Sequence, residues 1–125
     1  MADGGNAAVV TEFLDAMVAH DWERMGRCVA ENVDRVGPYG DEYKGRDDYV
    51  AFIADTLPRL PDYRMEVTRV VVAGDVVVAE LSETVRVDGK PLRTPEALVF
   101  DLDAEGRIAH IAVYTQDGSN PGGTQ

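Results

Sequence analysis

Two glutamates stand among the apolar residues of two predicted β-strands. In the segment 78–87 alternate positions are apolar, and Glu83 falls within the apolar set, which is Ala79, Leu81, Val85 and Val87. In the segment 94–102 Glu96 has the same parity as the bulky set, which is Leu98, Phe100 and Leu102. Since side chains alternate strictly along a strand, both carboxylates are expected on the face that turns toward the core.

The dipeptide Asp88-Gly89 between these segments predicts a β-hairpin. A two-residue turn makes Glu83 and Glu96 diagonal neighbours, and a four-residue turn places them directly opposite each other. A three-residue loop or a bulge would separate them. A buried charge costs several kcal/mol unless it is paired, so two carboxylates on this face indicate a lined cavity rather than a solid core.

The net charge of −11 over 125 residues limits the possible partners. Such a charge repels phosphate backbones and anionic lipids, which argues against nucleic acid and against membrane surfaces. The N-terminal residues do not include a basic segment followed by an apolar one, so no signal peptide is expected. The lone Cys28 excludes an intramolecular disulfide. We therefore expect a cytoplasmic protein. Neither His20 nor His110 has a partner at metal-ligand spacing, so no metal is expected. The sequence also contains no phosphate-cradling loop, and no cofactor is expected.

The order of the predicted elements indicates an α+β fold. Three helices come first and a run of strands follows, which favours helices packed on one face of a curved antiparallel sheet, a cone with one open mouth. We expect one domain over residues 1–125, with 1–5 and 118–125 as flexible tails. The predicted helices are 6–20, one that begins after the N-cap residue Asp21, and one that opens at 45–48 and ends at Pro58; the predicted strands are 32–36, 63–72, 76–87, 93–102 and 107–115.

Three strings carry a resemblance to a known family: Ala19-His-Asp-Trp22, Tyr43-Lys-Gly-Arg46 and the hairpin string from Val99 to Ile108. With them, residues 6 to 117 resemble the nuclear transport factor 2-like superfamily, and most closely its ketosteroid isomerases and SnoaL-like polyketide cyclases. The resemblance implies a cone-shaped α+β barrel with a central hydrophobic cavity. It is specific for the fold and not for chemistry, because one fold hosts many functions.

The positions that correspond to the catalytic residues of the ketosteroid isomerases mostly hold other residue types in this sequence. Phe13 stands where they have an oxyanion-donating tyrosine, and Leu98 stands where they have a protonated aspartate. Asp34-Arg-Val-Gly37 fits the string of their catalytic base if the following loop is two residues longer. A count without that gap places Gly37 at the base position and turns Arg35 inward instead. Both alignments remain open from the sequence.

Candidate catalytic residues are therefore Glu83, Glu96 and Asp34. Like charges at close range raise one pKa, so one glutamate can donate a proton while the other acts as a base. The structural alternative is a salt bridge that neutralises one glutamate through Arg35, Arg64 or Arg93. The residues expected to line the substrate cavity are Phe13, Tyr39, Tyr49, Leu81, Leu98, Phe100 and Val113.

These expectations favour a small cofactor-independent enzyme that binds an apolar, polyketide- or steroid-like carbonyl compound. Its reaction would be proton abstraction with isomerisation, or aldol cyclisation. The alternative is a non-catalytic module of the same fold that binds a small molecule or a protein. A homodimer is also expected through the outer face of the sheet, where apolar residues share the parity that points away from the core: Val78, Ala97, Val99, Ile108, Ala112 and Tyr114.

Overall fold

The computed structural model describes residues 2–116, with side chains from residue 5 onward. The described residues form three α-helices and a 3-10 turn: α1 (Ala2–Val18), α2 (Trp22–Arg27), α3 (Arg46–Thr56) and Leu57–Arg59. The Asp21 carboxylate accepts a hydrogen bond from the Arg24 backbone N–H, which confirms Asp21 as the N-cap of α2. Helix α1 includes residues 2–5 of the expected first tail, and the expected tail 118–125 lies outside the described residues. Within the described part, no helix is long and apolar enough to cross a membrane.

Six strands of the described residues form one curved sheet: β1 (Val29–Val36), β2 (Glu42–Lys44), β3 (Arg64–Ala73), β4 (Val76–Val87), β5 (Lys90–Leu102) and β6 (Ile108–Thr115). They lie in the order β2-β1-β6-β5-β4-β3. The sheet is mixed, because β1 runs parallel to β6, with Arg35 opposite Ile111. The predicted α+β fold with helices packed on a curved sheet is confirmed, and the sheet is antiparallel at every other pair of neighbouring strands. Strands β2 and β3 are free edges, so the sheet is not closed into the predicted barrel.

The β4–β5 hairpin has the two-residue turn. Val87 pairs with Lys90, and both turn residues have positive φ, 52° at Asp88 and 77° at Gly89. Such a turn matches the right-handed twist of the flanking strands. The pairing then continues to the far end of the hairpin without a register shift, which places Thr94 opposite Glu83 and Leu81 opposite Glu96. The predicted diagonal arrangement of the two glutamates is confirmed.

A register shift changes the face of one residue near the β5–β6 turn. The pairing slips between Asp101 and Leu102, so Ile108 lies opposite Leu102 and is fully buried. The prediction that Ile108 belongs to the outer face is wrong, because a single extra residue in a ladder exchanges the two faces. Ile108 instead belongs to the core, next to Leu102.

Aromatic rings fill the centre of the core between the helices and the sheet. The fully buried Phe13 ring of α1 meets the Phe100 ring of β5 edge to face at a centroid distance of 5.7 Å. It also stacks at 6.4 Å on the buried Tyr49 ring of α3. Edge-to-face and offset-stacked pairs add stability beyond the area they bury. Phe13 thus joins two helices to the central strands.

We expect Phe13→Ala to lower the free energy of unfolding by about 3–5 kcal/mol, because it opens a cavity at this junction. Urea unfolding followed by circular dichroism measures the change. Val18→Ala on the same helix is the matched control, since Val18 is half exposed and its truncation should change stability by less than about 0.5 kcal/mol. Equal losses in the two variants would contradict the assignment of Phe13 as the central packing residue.

Candidate functional site

Glu83 and Glu96 lie half-buried on the helix-facing side of the sheet. Each glutamate has a buried leucine as its neighbour along the strand, because Leu81 precedes Glu83 and Leu98 follows Glu96 on the same face. Met65 of β3 pairs with Glu83 from the other side. The two carboxyl groups thus stand at the edge of the apolar interior.

Tyr63, just before β3, completes this group. Its hydroxyl donates a short hydrogen bond to the Glu83 carboxylate Oε2. The sequence did not single out Tyr63 as a site residue. The pairing of β3 with β4 could have identified it, because Tyr63 shares the parity of Met65, and Met65 pairs with Glu83.

The environment holds a proton on this pair of glutamates. Burial, a hydrogen bond with the Glu83 carboxyl and the charge of Glu83 together raise the pKa of Glu96 to about 9. Burial and the neighbouring Glu83 charge also raise the pKa of Tyr63. At neutral pH Glu96 and Tyr63 therefore keep their protons, and both can donate to the Glu83 carboxylate. The site thus brings two protonated groups to the Glu83 carboxyl.

The Arg35 side chain faces this interior. It is 12% exposed, and its guanidinium pairs with the Asp41 carboxylate at 2.9 Å and lies 5.3 Å from the centre of the Phe52 ring. Its charge lowers the pKa of Glu96 but does not offset the larger effects of burial and of Glu83. The sequence left the facing of Arg35 open, and the structure turns it inward.

The salt-bridge alternative for the glutamates is not supported by the other two arginines. Arg64 and Arg93 both pair with Thr84, whose parity is opposite to that of Glu83, and both are exposed. They lie on the face of the sheet that points away from the helices. Arg35 bonds to Asp41. Among the described residues, the Glu83 carboxylate accepts a hydrogen bond from the Tyr63 hydroxyl and forms no salt bridge with a guanidinium.

Asp34 lies on the opposite face of the sheet from the glutamate pair. Its Oδ2 atom is 3.7 Å from Nε2 of His110, and Nδ1 of His110 is 3.5 Å from the Asp101 carboxylate. A hydrogen bond with Asp34 raises the pKa of Glu42, which follows on β2. The structure does not bring Asp34 together with Glu83 and Glu96, so its role as a base remains a prediction without support from this geometry.

Most of the residues expected to line the cavity lie on the same side of the sheet as the two glutamates. Phe13, Leu81, Leu98 and Phe100 are buried on the inner face, as is Tyr49, whose pKa is raised by burial. Val113 is half-buried opposite Leu98. The exception is Tyr39, which is 88% exposed in the loop between β1 and β2. Its backbone N–H points to Asp41, and its ring lies outside the interior.

Residues 10–111 match the model of the SnoaL-like domain family, and the chain belongs to that family. No curated protein is significantly similar in sequence.

Among solved structures, a candidate ketosteroid isomerase of Kribbella flavida has a TM-score of 0.81 at 19% identity, over 95% of this chain and 83% of that one. A candidate SnoaL-like polyketide cyclase of a Jannaschia species has a TM-score of 0.81 at 20% identity, over 92% and 88%. An LEH-like epoxide hydrolase of M. tuberculosis has a TM-score of 0.80 at 16% identity, over 91% and 84%. These similarities establish the fold and leave the reaction open.

The raised pKa of Glu96 predicts how stability depends on pH. Because the folded value of about 9 lies above the ordinary value of 4.5, the folded chain binds a proton that the unfolded chain has lost between these two values. This contribution to stability is complete below pH 4.5 and is lost as the pH rises toward 9. In Glu96→Gln the decline in stability between pH 5 and pH 9 should be shallower than in the wild type, as measured by urea unfolding.

Glu80→Gln is the control for this experiment. Glu80 lies on the same strand as Glu83, and its hydrogen bond with Arg69 lowers its pKa, so it is mostly ionised in both states across this window. Its removal should leave the slope of stability against pH unchanged. Parallel slopes in the wild type and in Glu96→Gln would show that Glu96 titrates normally.

Proposed function

We propose that the chain is a small cofactor-independent enzyme that abstracts a proton next to the carbonyl group of an apolar, polyketide- or steroid-like compound. The product would form by isomerisation or by aldol cyclisation. The observation that carries the proposal is the group of Glu83, Glu96 and Tyr63 at the edge of an apolar interior, in which the two glutamates are diagonal neighbours and the Tyr63 hydroxyl donates to Glu83. It pairs one carboxylate with two groups that keep their protons at neutral pH, which is the requirement for general acid–base catalysis.

In the proposed step the Glu83 carboxylate takes a proton from the carbon beside the carbonyl group. The electrons of that C–H bond form the enolate, and the negative charge develops on the carbonyl oxygen. A carboxylic acid that stays neutral can donate a hydrogen bond to this oxygen, and Glu96 is such a group. Glu83 then returns the proton to another carbon, or the enolate carbon attacks a second carbonyl group of the same molecule.

The role of Tyr63 in this scheme is to hold the base and to supply a second donor. Its hydroxyl donates to the same carboxylate that takes the substrate proton. A positioned donor keeps that carboxylate in one rotamer and limits the motion that would misalign it. When Glu83 gains the proton its attraction for the Tyr63 hydroxyl weakens, and the hydroxyl becomes available to the enolate oxygen.

A non-catalytic binding module is the second candidate, and one observation favours it. The two positions that carry oxyanion donors in the ketosteroid isomerases are occupied here by Phe13 and Leu98, and both side chains are buried and apolar. Phe13 is packed between Phe100 and Tyr49. In this alternative, the acids would orient a small hydrophobic ligand and would not turn it over.

We also propose that the protein is a homodimer through the outer face of the sheet. Tyr114 is 62% exposed and Val71 is 46% exposed on this face. Beside Tyr114 a groove of about 430 Å³ includes Pro95 and Ala97 in its lining. An apolar sheet face of this kind is stabilised when a second copy covers it. A cytoplasmic location remains a prediction that rests on the free, buried Cys28.

The test of the enzymatic proposal is exchange of the protons next to the carbonyl group of model ketones in D₂O, followed by NMR. The ketones would be a Δ5-ketosteroid and a smaller cyclic enone. The wild type should catalyse exchange, and Glu83→Gln should reduce the rate by at least about 100-fold, since glutamine cannot accept the proton. Glu80→Gln, an exposed change on the same strand, should keep the wild-type rate.

Failure of the wild type to exchange ketones that bind it, with binding measured by calorimetry, would overturn the enzymatic proposal and leave the binding module. Exchange that persists in Glu83→Gln would assign the base to another residue. Asp34→Asn tests whether that residue is Asp34, which lies on the other face of the sheet with His110. It should leave the rate unchanged if Glu83 is the base.

The dimer is tested by light scattering of the wild type and of Tyr114→Arg. We expect a dimer for the wild type at micromolar concentration and a monomer for the variant, because the interface would bury an unpaired charge. Tyr39→Arg is the matched control, since Tyr39 is also an exposed tyrosine but lies in the loop between β1 and β2. It should remain dimeric. A monomeric wild type would refute the interface.

A further inference from the structure

A second site lies where α2, the start of α3 and the residue before β6 meet. A groove of about 500 Å³ opens there, and none of its lining residues belongs to the group around Glu83 and Glu96. Its volume is in the range of small-molecule sites. The groove therefore takes no part in the reaction proposed for Glu83 and Glu96.

Three guanidinium groups from three different parts of the chain line this groove. Arg27 comes from α2, Arg46 from the first position of α3 and Arg107 from the turn before β6. In a chain with a net charge of −11, three cations around one groove need an explanation beyond general solubility. Guanidinium groups from separate elements can surround one anionic head group with paired hydrogen bonds.

Each of these arginines keeps N–H donors that can bind a ligand. Arg46 is half-buried and donates through Nε and Nη2 to the carbonyl oxygen of Val29, a neutral acceptor, which fixes the side chain without cancelling its charge. Arg27 and Arg107 lie 3.8 Å from the exposed carboxylates of Glu23 and Glu105. That distance is beyond hydrogen-bond length, and exposed pairs of this kind contribute little.

The floor of the groove is apolar. The Trp22 indole and the Val50 side chain line it, both half-buried, and between them the backbone of Gly26 is buried. The indole stacks on the ring of His20 at a centroid distance of 5.2 Å, which holds its plane in one orientation. A fixed aromatic face beside cations is suited to the flat apolar body of an organic anion.

Gly26 gives independent support for a ligand. A glycine inside a helix costs about 1 kcal/mol relative to alanine. Packing does not require it, because a Cβ atom at residue 26 would lie 3.8 Å from Arg46 Cδ and 3.8 Å from Val50 Cγ2, which is ordinary contact. Both contacts are with groove-lining residues. The missing side chain therefore deepens the groove at a cost to the helix.

We propose that this groove binds a small carboxylate with a flat apolar or aromatic body, the carboxylate among Arg27, Arg46 and Arg107 and the body over Trp22. The acidic residues Glu23 and Asp47 also line the groove. Together with the negative net charge of the chain, they favour a singly charged carboxylate over a doubly charged phosphate monoester. The site is separate from the proposed active site, and its occupation does not depend on that proposal.

The fluorescence of Trp22 reports on this groove directly, because it is the single tryptophan of the chain. The probes are phenylacetate, phenyl phosphate and the neutral 2-phenylethanol, titrated at one fixed pH. Phenylacetate should change the emission saturably at micromolar to millimolar concentration, phenyl phosphate should bind more weakly, and 2-phenylethanol should not saturate. Tighter binding of phenyl phosphate would assign the site to phosphorylated ligands and overturn the carboxylate proposal.

Two variants test the geometry. Arg107→Gln should weaken phenylacetate binding about tenfold, the effect of losing one charged hydrogen bond. Gly26→Ala should also weaken it while thermal stability is kept or raised, because alanine favours the helix but its methyl group occupies the floor. A purely structural role for Gly26 predicts no change in binding.

Arg59→Gln is the control, since it removes an exposed arginine that is paired with Asp55 away from the groove. It should bind phenylacetate like the wild type. Phenylacetate affinity that is unchanged in both Arg107→Gln and Gly26→Ala would overturn the proposal, as would the absence of any saturable response to phenylacetate.

Discussion

The uninterrupted pairing of β4 with β5 is the constraint on which the rest of the structure depends. It runs from the Asp88-Gly89 turn to the far end of the hairpin without a shift. These two strands carry Ala79, Leu81, Leu98 and Phe100, the inner wall against which the helices pack. Any slip of one residue would exchange the two faces and send this apolar wall to solvent. The turn therefore sets both the core and the place of the two glutamates.

Removal from water gives the glutamate pair its chemical character. Ionising both carboxyl groups of this half-buried pair would cost a large free energy. The protein avoids that cost because Glu96 keeps its proton. Arg35 is near enough to act on Glu96 but is bonded to Asp41. If Arg35 were bonded to one of the glutamates, the site would be a salt bridge without a proton to donate.

Local patterns predicted the helices, the β4–β5 turn and the shared face of Glu83 and Glu96, because each depends on spacing within a short segment. They did not predict β2, which has three residues, or the place of Ile108, which depends on one shift in the β5–β6 ladder. Tyr63 was missed because its role follows from the β3–β4 register and not from its neighbours in the chain.

The sequence by itself determined which residues share a face and that two acids belong to the apolar one, since side-chain alternation is a property of a single strand. Only the tertiary structure decided that β1 lies parallel to β6, and with it that Arg35 faces inward while Asp34 meets His110 on the other side. The reason is physical: pairing between strands far apart in the chain is selected by how the whole core packs. No local pattern contains that information.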